Sequence, residues 1–202
     1  MGLSLLFLSN SIKDITKPWR EIVDPTGTTI SQVQRYVQRN KMYYLAADPN
    51  DFMFANNLDV CKGVFPSPSF VREKHPELKG AVSHYEVMHS DKEKESTFEK
   101  VRAEYYPSCP SRMGAIYLFN NLDTAIHANQ EWWKNQRTIY EATIEKNSNV
   151  LITDSQWLNC AQSEYEKNAH NYFQEKYTDN PILEVVVMGV IQVASEPVLK
   201  EI

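Results

Sequence analysis

Apolar residues change period along the chain, and each change marks an element. Met42-Tyr43-Tyr44-Leu45-Ala46 is a short aromatic run that reads as a strand, closed by a turn at Asp48-Pro49-Asn50-Asp51. Ahead of it, Ser11–Arg39 is polar and punctuated by Pro18, Pro25 and Gly27. Within that stretch Thr29-Ile30-Ser31-Gln32 opens a helix with Ile30, Val33, Tyr36 and Val37 on one face. Pro66, Pro68 and Pro76 make Val60–Pro76 a loop, placed to cover a ligand. Leu78–Met88 fits a strand and a short helix equally. Asp91–Tyr106 reads as a helix with Phe98, Val101 and Tyr105 inward and Glu99, Lys100 and Glu104 solvated. Pro107 and Pro110 end it.

The second half alternates more sharply. Ala115–Phe119 is a strand, Asn120-Asn121-Leu122-Asp123 caps a helix over Thr124–Asn135, and Thr138–Glu145 and Asn149–Thr153 are strands. One or two helices occupy Asp154–Phe173. Pro181–Val193 closes as an apolar strand interrupted by Gly189. Elements that alternate unevenly, with strands dominating the end, predict an α+β fold rather than a doubly wound sheet. The expectation is one domain over 1–202, with 1–40 as an N-terminal arm.

Composition narrows the function classes. The 202 residues carry a formal charge of -5, so no global basic footprint points to nucleic acid. Three scattered cysteines argue against a disulfide framework or a zinc site and for a reducing compartment. The opening Met1–Leu8 lacks a basic region and a cleavage site, and no run reaches membrane-spanning length, so a cytoplasmic protein without membrane contact is expected. The six glycines are dispersed, which disfavours a Rossmann or phosphate-loop nucleotide site.

The chemistry concentrates in three stretches. The first is Met42–Ala46. The second runs from Phe98–Arg102 through Pro110-Ser111-Arg112 to Ala115–Phe119 and Leu122-Asp123-Thr124-Ala125. The third is Tyr172-Phe173 followed by Pro181-Ile182-Leu183-Glu184-Val185 and Gly189. The second and third stretches resemble an uncharacterised bacterial family, domain of unknown function 2441 (DUF2441). More widely the layout resembles the ADP-ribosyltransferase-like group, over roughly Met42 to Val193. That resemblance implies split antiparallel sheets with flanking helices around NAD. It also implies transfer of ADP-ribose to a nucleic-acid or protein acceptor, in a toxin or anti-phage effector with a possible cognate inhibitor. An NAD glycohydrolase and a non-catalytic module, binding through Pro66–Pro76, are the alternatives.

On this reading Glu184 stabilises the oxocarbenium-like ribose as a carboxylate does in glycoside hydrolysis. By position alone a carboxylate guarding a strand edge is the better reading, and the resemblance is what favours catalysis. Arg112 offers a planar fork to the diphosphate and joins Glu184 as catalytic. Ser111 donates to the same ligand, and Tyr43, Tyr44 and Tyr117 supply rings to stack on nicotinamide or adenine. Tyr44 stands where many relatives carry His or Arg. Secondary candidates are His84, Tyr85 and Glu141. No metal is implied.

Overall fold

The computed structural model describes residues 41–48, 50–88 and 91–199. The N-terminal arm and the helix expected from Thr29 lie outside them. The described chain is α+β, with seven strands in one antiparallel sheet and six α-helices. In chain order these are β1 (Tyr43–Ala47), α1 (Phe52–Val60), β2 (Val64–Pro66), α2 (Pro68–Lys74), α3 (His84–Met88), α4 (Lys92–Tyr105), β3 (Ile116–Phe119), α5 (Leu122–Trp133), β4 (Thr138–Ile144), β5 (Asn149–Asp154), α6 (Tyr165–Phe173), β6 (Leu183–Met188) and β7 (Val190–Leu199).

The strand order is β2-β7-β4-β1-β3-β6-β5. Two split sheets were expected; the strands instead form one hydrogen-bonded sheet with a narrow seam. β1 pairs along its whole length with β4 but meets β3 at one register position, Tyr44 opposite Phe119. A four-stranded half and a three-stranded half are therefore joined almost at a point. One hydrophobic cluster draws on both halves, from Tyr43, Tyr140 and Val193 to Leu118, Val185 and Val187, and among the described residues takes only Phe54 and Leu58 from a helix. On the other face, α4 and α6 cover β5 and β6 through Phe98, Val101, Ala169 and Phe173. There α5 sets Ala125 and Ala128 against Phe119 and Ile139.

Val60–Pro76, expected as a loop, contains β2 and α2. Two of its three prolines, Pro66 and Pro68, sit where regular structure tolerates them. Pro66 ends an edge strand, where its missing N–H breaks no ladder. Pro68 occupies the first turn of α2 behind the cap Ser67, whose hydroxyl accepts from the Phe70 N–H. The turn after β1 also does more than expected: Asp51 accepts from the N–H groups of Met53 and Phe54 and starts α1.

Two devices fix the entry and exit of β6. At the exit, Gly189 has φ 158°, and a side chain there would meet Ser148 Oγ at 2.2 Å. Its N–H donates to the buried Ser67 hydroxyl and its carbonyl accepts from the Ser67 N–H. At the entry, the fully buried Asp154 accepts from the N–H groups of Gln156, Thr178 and Ile182 and from the Thr178 hydroxyl, at 2.6–3.0 Å. Asp154→Asn turns one acceptor oxygen into a donor facing donors. It should cost about 2–3 kcal/mol, measured as a lower urea midpoint with an unchanged slope.

Candidate functional site

β6 lies between β3 and β5, so its second residue, Glu184, has no edge to guard. Its neighbours are set by register. Thr153, Glu184, Phe119, Tyr44 and Glu141 lie side by side across five strands, in one row over the seam. Residues directly opposite project from the same face, and each strand adds about 4.8 Å, so Tyr44 and Glu184 stand roughly 10 Å apart with Phe119 between them. Tyr43, one residue away on β1, projects to the opposite face and is core, 2% exposed. Its place in the strand's alternation removes it from any site that contains Glu184.

The loop before β3 delivers Arg112 beneath α4. Gly114, at φ 78°, makes the turn; Ser69 of α2 pins it by donating its N–H and hydroxyl to the Gly114 carbonyl at 2.9 Å. Arg112 is 3% exposed, and all five of its N–H donors have protein acceptors. Nε and Nη2 reach the two carboxylate oxygens of Glu95 on α4, at 3.1 and 3.3 Å. Nη1 donates to Glu184 Oε1 at 2.9 Å and to the Tyr172 hydroxyl at 2.7 Å. Nη2 also donates to the Tyr85 hydroxyl at 2.8 Å.

The two phenols repeat one motif. Each accepts from Arg112 and donates to a carboxylate that the same arginine holds: Tyr172 to Glu184 Oε1 at 2.6 Å, Tyr85 to Glu95 Oε1. The rings of Tyr85, Tyr117 and Tyr172 lie 5.0–5.5 Å from the guanidinium carbon. The Tyr117 hydroxyl donates to the Arg112 carbonyl at 2.7 Å.

Two carboxylates thus face one guanidinium in the protein interior. Glu184 Oε1 takes both of that residue's hydrogen bonds, and Oε2 meets no donor among the described residues. Burial holds the phenols of Tyr117 and Tyr172 well above the ordinary value, and burial pushes Tyr85 up as well. All three therefore remain donors at neutral pH. Raised folded-state values stabilise the fold fully below the unfolded value of 10.0, and that stability drains away as pH rises beyond it. In an alkaline titration, part of the phenolate absorbance from the eleven tyrosines should appear only as far-UV circular dichroism collapses. Complete ionisation with the circular dichroism intact would contradict the described burial.

Arg112, Tyr117 and Glu184 therefore converge, as the sequence candidates required, but in a closed network. Arg112 offers no free fork to a diphosphate, because Glu95 and Glu184 already fill it. Ser111 points elsewhere: its hydroxyl donates to Glu99 at 2.8 Å and accepts from the Met113 N–H. It lines a separate cleft of about 470 Å³ with Arg72, Arg102, Met113 and Met188. Three participants were absent from the primary candidates: Glu95, Tyr172 and Tyr85. Glu95 lies three residues before Phe98, on the inward stripe of α4, and that spacing was the signal for it. Among the described residues no group of three or more His, Cys, Asp or Glu is placed to hold a metal ion. No described helix is long and apolar enough to cross a membrane.

An α+β domain with one seamed antiparallel sheet and a buried Glu-Arg-Glu network at its centre is the class that fold and site define. The chain belongs to the family described as protein of unknown function (DUF2441), whose model matches residues 38–201. That span contains every residue of the network. No curated protein matches the sequence.

Proposed function

We propose that this chain transfers ADP-ribose from NAD to a macromolecular acceptor, nucleic acid or protein, with Glu184 facing the reacting ribose. The bond from the ribose anomeric carbon to nicotinamide breaks, and nicotinamide leaves with the electron pair. The acceptor nucleophile bonds to that carbon and releases its proton. The observation that carries this reading is Glu184 Oε2, a buried carboxylate oxygen that meets no donor among the described residues, one strand from the seam of the sheet. The network holds two carboxylates to one guanidinium, and a cationic nicotinamide or oxocarbenium group complements that imbalance. In this account Arg112 and Tyr172 position Glu184, and Arg112 does not bind phosphate. The resemblance also supports a cytoplasmic effector role, as a toxin or in phage defence, with a cognate inhibitor as partner.

A second reading, a non-catalytic module of the same fold, is favoured by the full engagement of Arg112. The purified chain incubated with NAD labelled in its adenylate, with and without cell lysate, separates the readings. Label retained on RNA, DNA or protein supports transfer. Label found only as free ADP-ribose makes the chain a glycohydrolase, and unchanged NAD in both mixtures leaves the module.

A further inference from the structure

The paired phenols of the network differ in how firmly they are held. Tyr172 is fully buried on α6, edge-on to Phe98 and Phe173. Tyr85 sits on α3, a helix of five residues with only sparse contact to the other elements. Two apolar residues of that segment, Val82 and Val87, are 44% and 64% exposed. Its tether is electrostatic: Glu86 takes two hydrogen bonds from Arg72 at 2.9 and 3.0 Å, and the Ser83 N–H donates to the same carboxylate. Segments with few buried apolar contacts open at low free-energy cost.

Beneath Tyr85 lie the Arg112 guanidinium, the Glu95 carboxylate and the Tyr117 ring, whose centroid is 5.3 Å from that of Tyr85. The Tyr85 oxygen accepts from Arg112 and donates to Glu95 at once. A phosphate oxygen cannot do both, since it has no proton for Glu95 and would meet a like charge there. An alcohol can. The Tyr117 ring beside it offers an apolar platform to the carbon face of a sugar.

We infer that Tyr85 occupies a sugar-hydroxyl site formed by Arg112, Glu95 and Tyr117, and that displacement of α3 opens this site to a polyhydroxylated ligand. The phenol is an internal stand-in for the ligand's hydroxyl, and α3 is the lid that carries it. The inference rests on the proposed NAD chemistry only for the choice of probe.

Titration calorimetry with ADP-ribose, and with inorganic pyrophosphate as a sugar-free control, tests it. Tyr85→Ala should bind ADP-ribose about tenfold or more tightly than the unaltered chain, because the closed lid no longer taxes binding. Pyrophosphate affinity should not change. Glu86→Gln, which loosens the tether and leaves the phenol in place, should show a smaller gain of the same sign and decides the matter if Tyr85→Ala fails to fold. No gain in a folded variant, or an equal gain for pyrophosphate, overturns the inference. NAD turnover is measured separately. Tighter ADP-ribose binding without turnover in any variant keeps this site and removes the proposed activity, whereas turnover without the gain does the reverse.

Discussion

Arg112→Met is expected to remove about 5 kcal/mol of folding stability, the upper end of the cost of breaking a buried ion pair. Methionine keeps part of the aliphatic stem but removes the guanidinium, so the loss combines the missing charge with the space it filled. Among the described residues, Arg112 is the one cation paired with Glu95 and Glu184, whose side chains are 4% and 8% exposed. Without it, two carboxylates stand in the core with two phenols as their remaining donors. At about 2–4 °C per kcal/mol for a chain of this size, the melting temperature should fall by roughly 10–20 °C. Arg112→Lys keeps the charge but cannot span both carboxylates and both hydroxyls from one ammonium, so it should lose about 2–3 kcal/mol. Adding Glu95→Gln to Arg112→Met should recover part of the loss, since one stranded charge disappears. Urea denaturation of the four proteins measures all of this. A loss below about 1 kcal/mol in Arg112→Met would mean that the network is not closed as described.

The same residue shows how far the sequence could be read. Pro110-Ser111-Arg112 before a buried strand was legible as a turn, an arginine and a strand. The apolar run of β6, its break at Gly189 and the inward face of α4 were legible too, because each is a local periodicity. The partners of Arg112 were not. Glu95 is 17 residues away and Glu184 is 72 residues away. Whether an arginine faces a ligand or two buried glutamates depends on how α4 seats on the sheet, which no local pattern encodes. Val60–Pro76 failed for a different reason. Its prolines mark an edge strand and a helix start, two positions where proline is tolerated, and composition does not tell these from a loop. Tyr43 and Tyr44 were separable only once β1 had a register. One residue's shift exchanges which of the two shares a face with Glu184.

Burial also changes what Glu184 must do to act. A carboxylate at an open strand mouth reaches substrate directly. One that is 6% exposed needs the ligand to enter beside it, or a covering segment to move. The seam is the narrow place for the first route, since β1 and β3 share one register pair there, next to Glu184 in the row. Displacement of α3 supplies the second from the opposite side of Arg112. Both routes leave Glu184 Oε1 held by Arg112 and Tyr172, so the carboxylate is preorganised before any ligand arrives.

Glu184→Gln separates catalysis from architecture. The amide oxygen can still accept from Arg112 Nη1 and the Tyr172 hydroxyl, and Arg112 remains paired with Glu95. One guanidinium then faces one carboxylate, so the charge imbalance of the network disappears. Folding stability should fall by only about 1–2 kcal/mol, the difference between a charged and a neutral acceptor. On the proposed reading, NAD turnover should fall about 100–1000-fold, because the group proposed to stabilise the developing ribose cation is gone. Glu184→Asp keeps the charge but withdraws it by about 1 Å, and a displacement of that size should still cost about 100-fold. Single-turnover measurement of nicotinamide release, beside thermal melts of the same preparations, reads both quantities. Turnover within threefold of the unaltered chain in a folded Glu184→Gln protein would remove Glu184 from the chemistry. A Glu184→Gln protein that does not fold would make the carboxylate a core element first, and would move the weight of the site onto the closed network around Arg112.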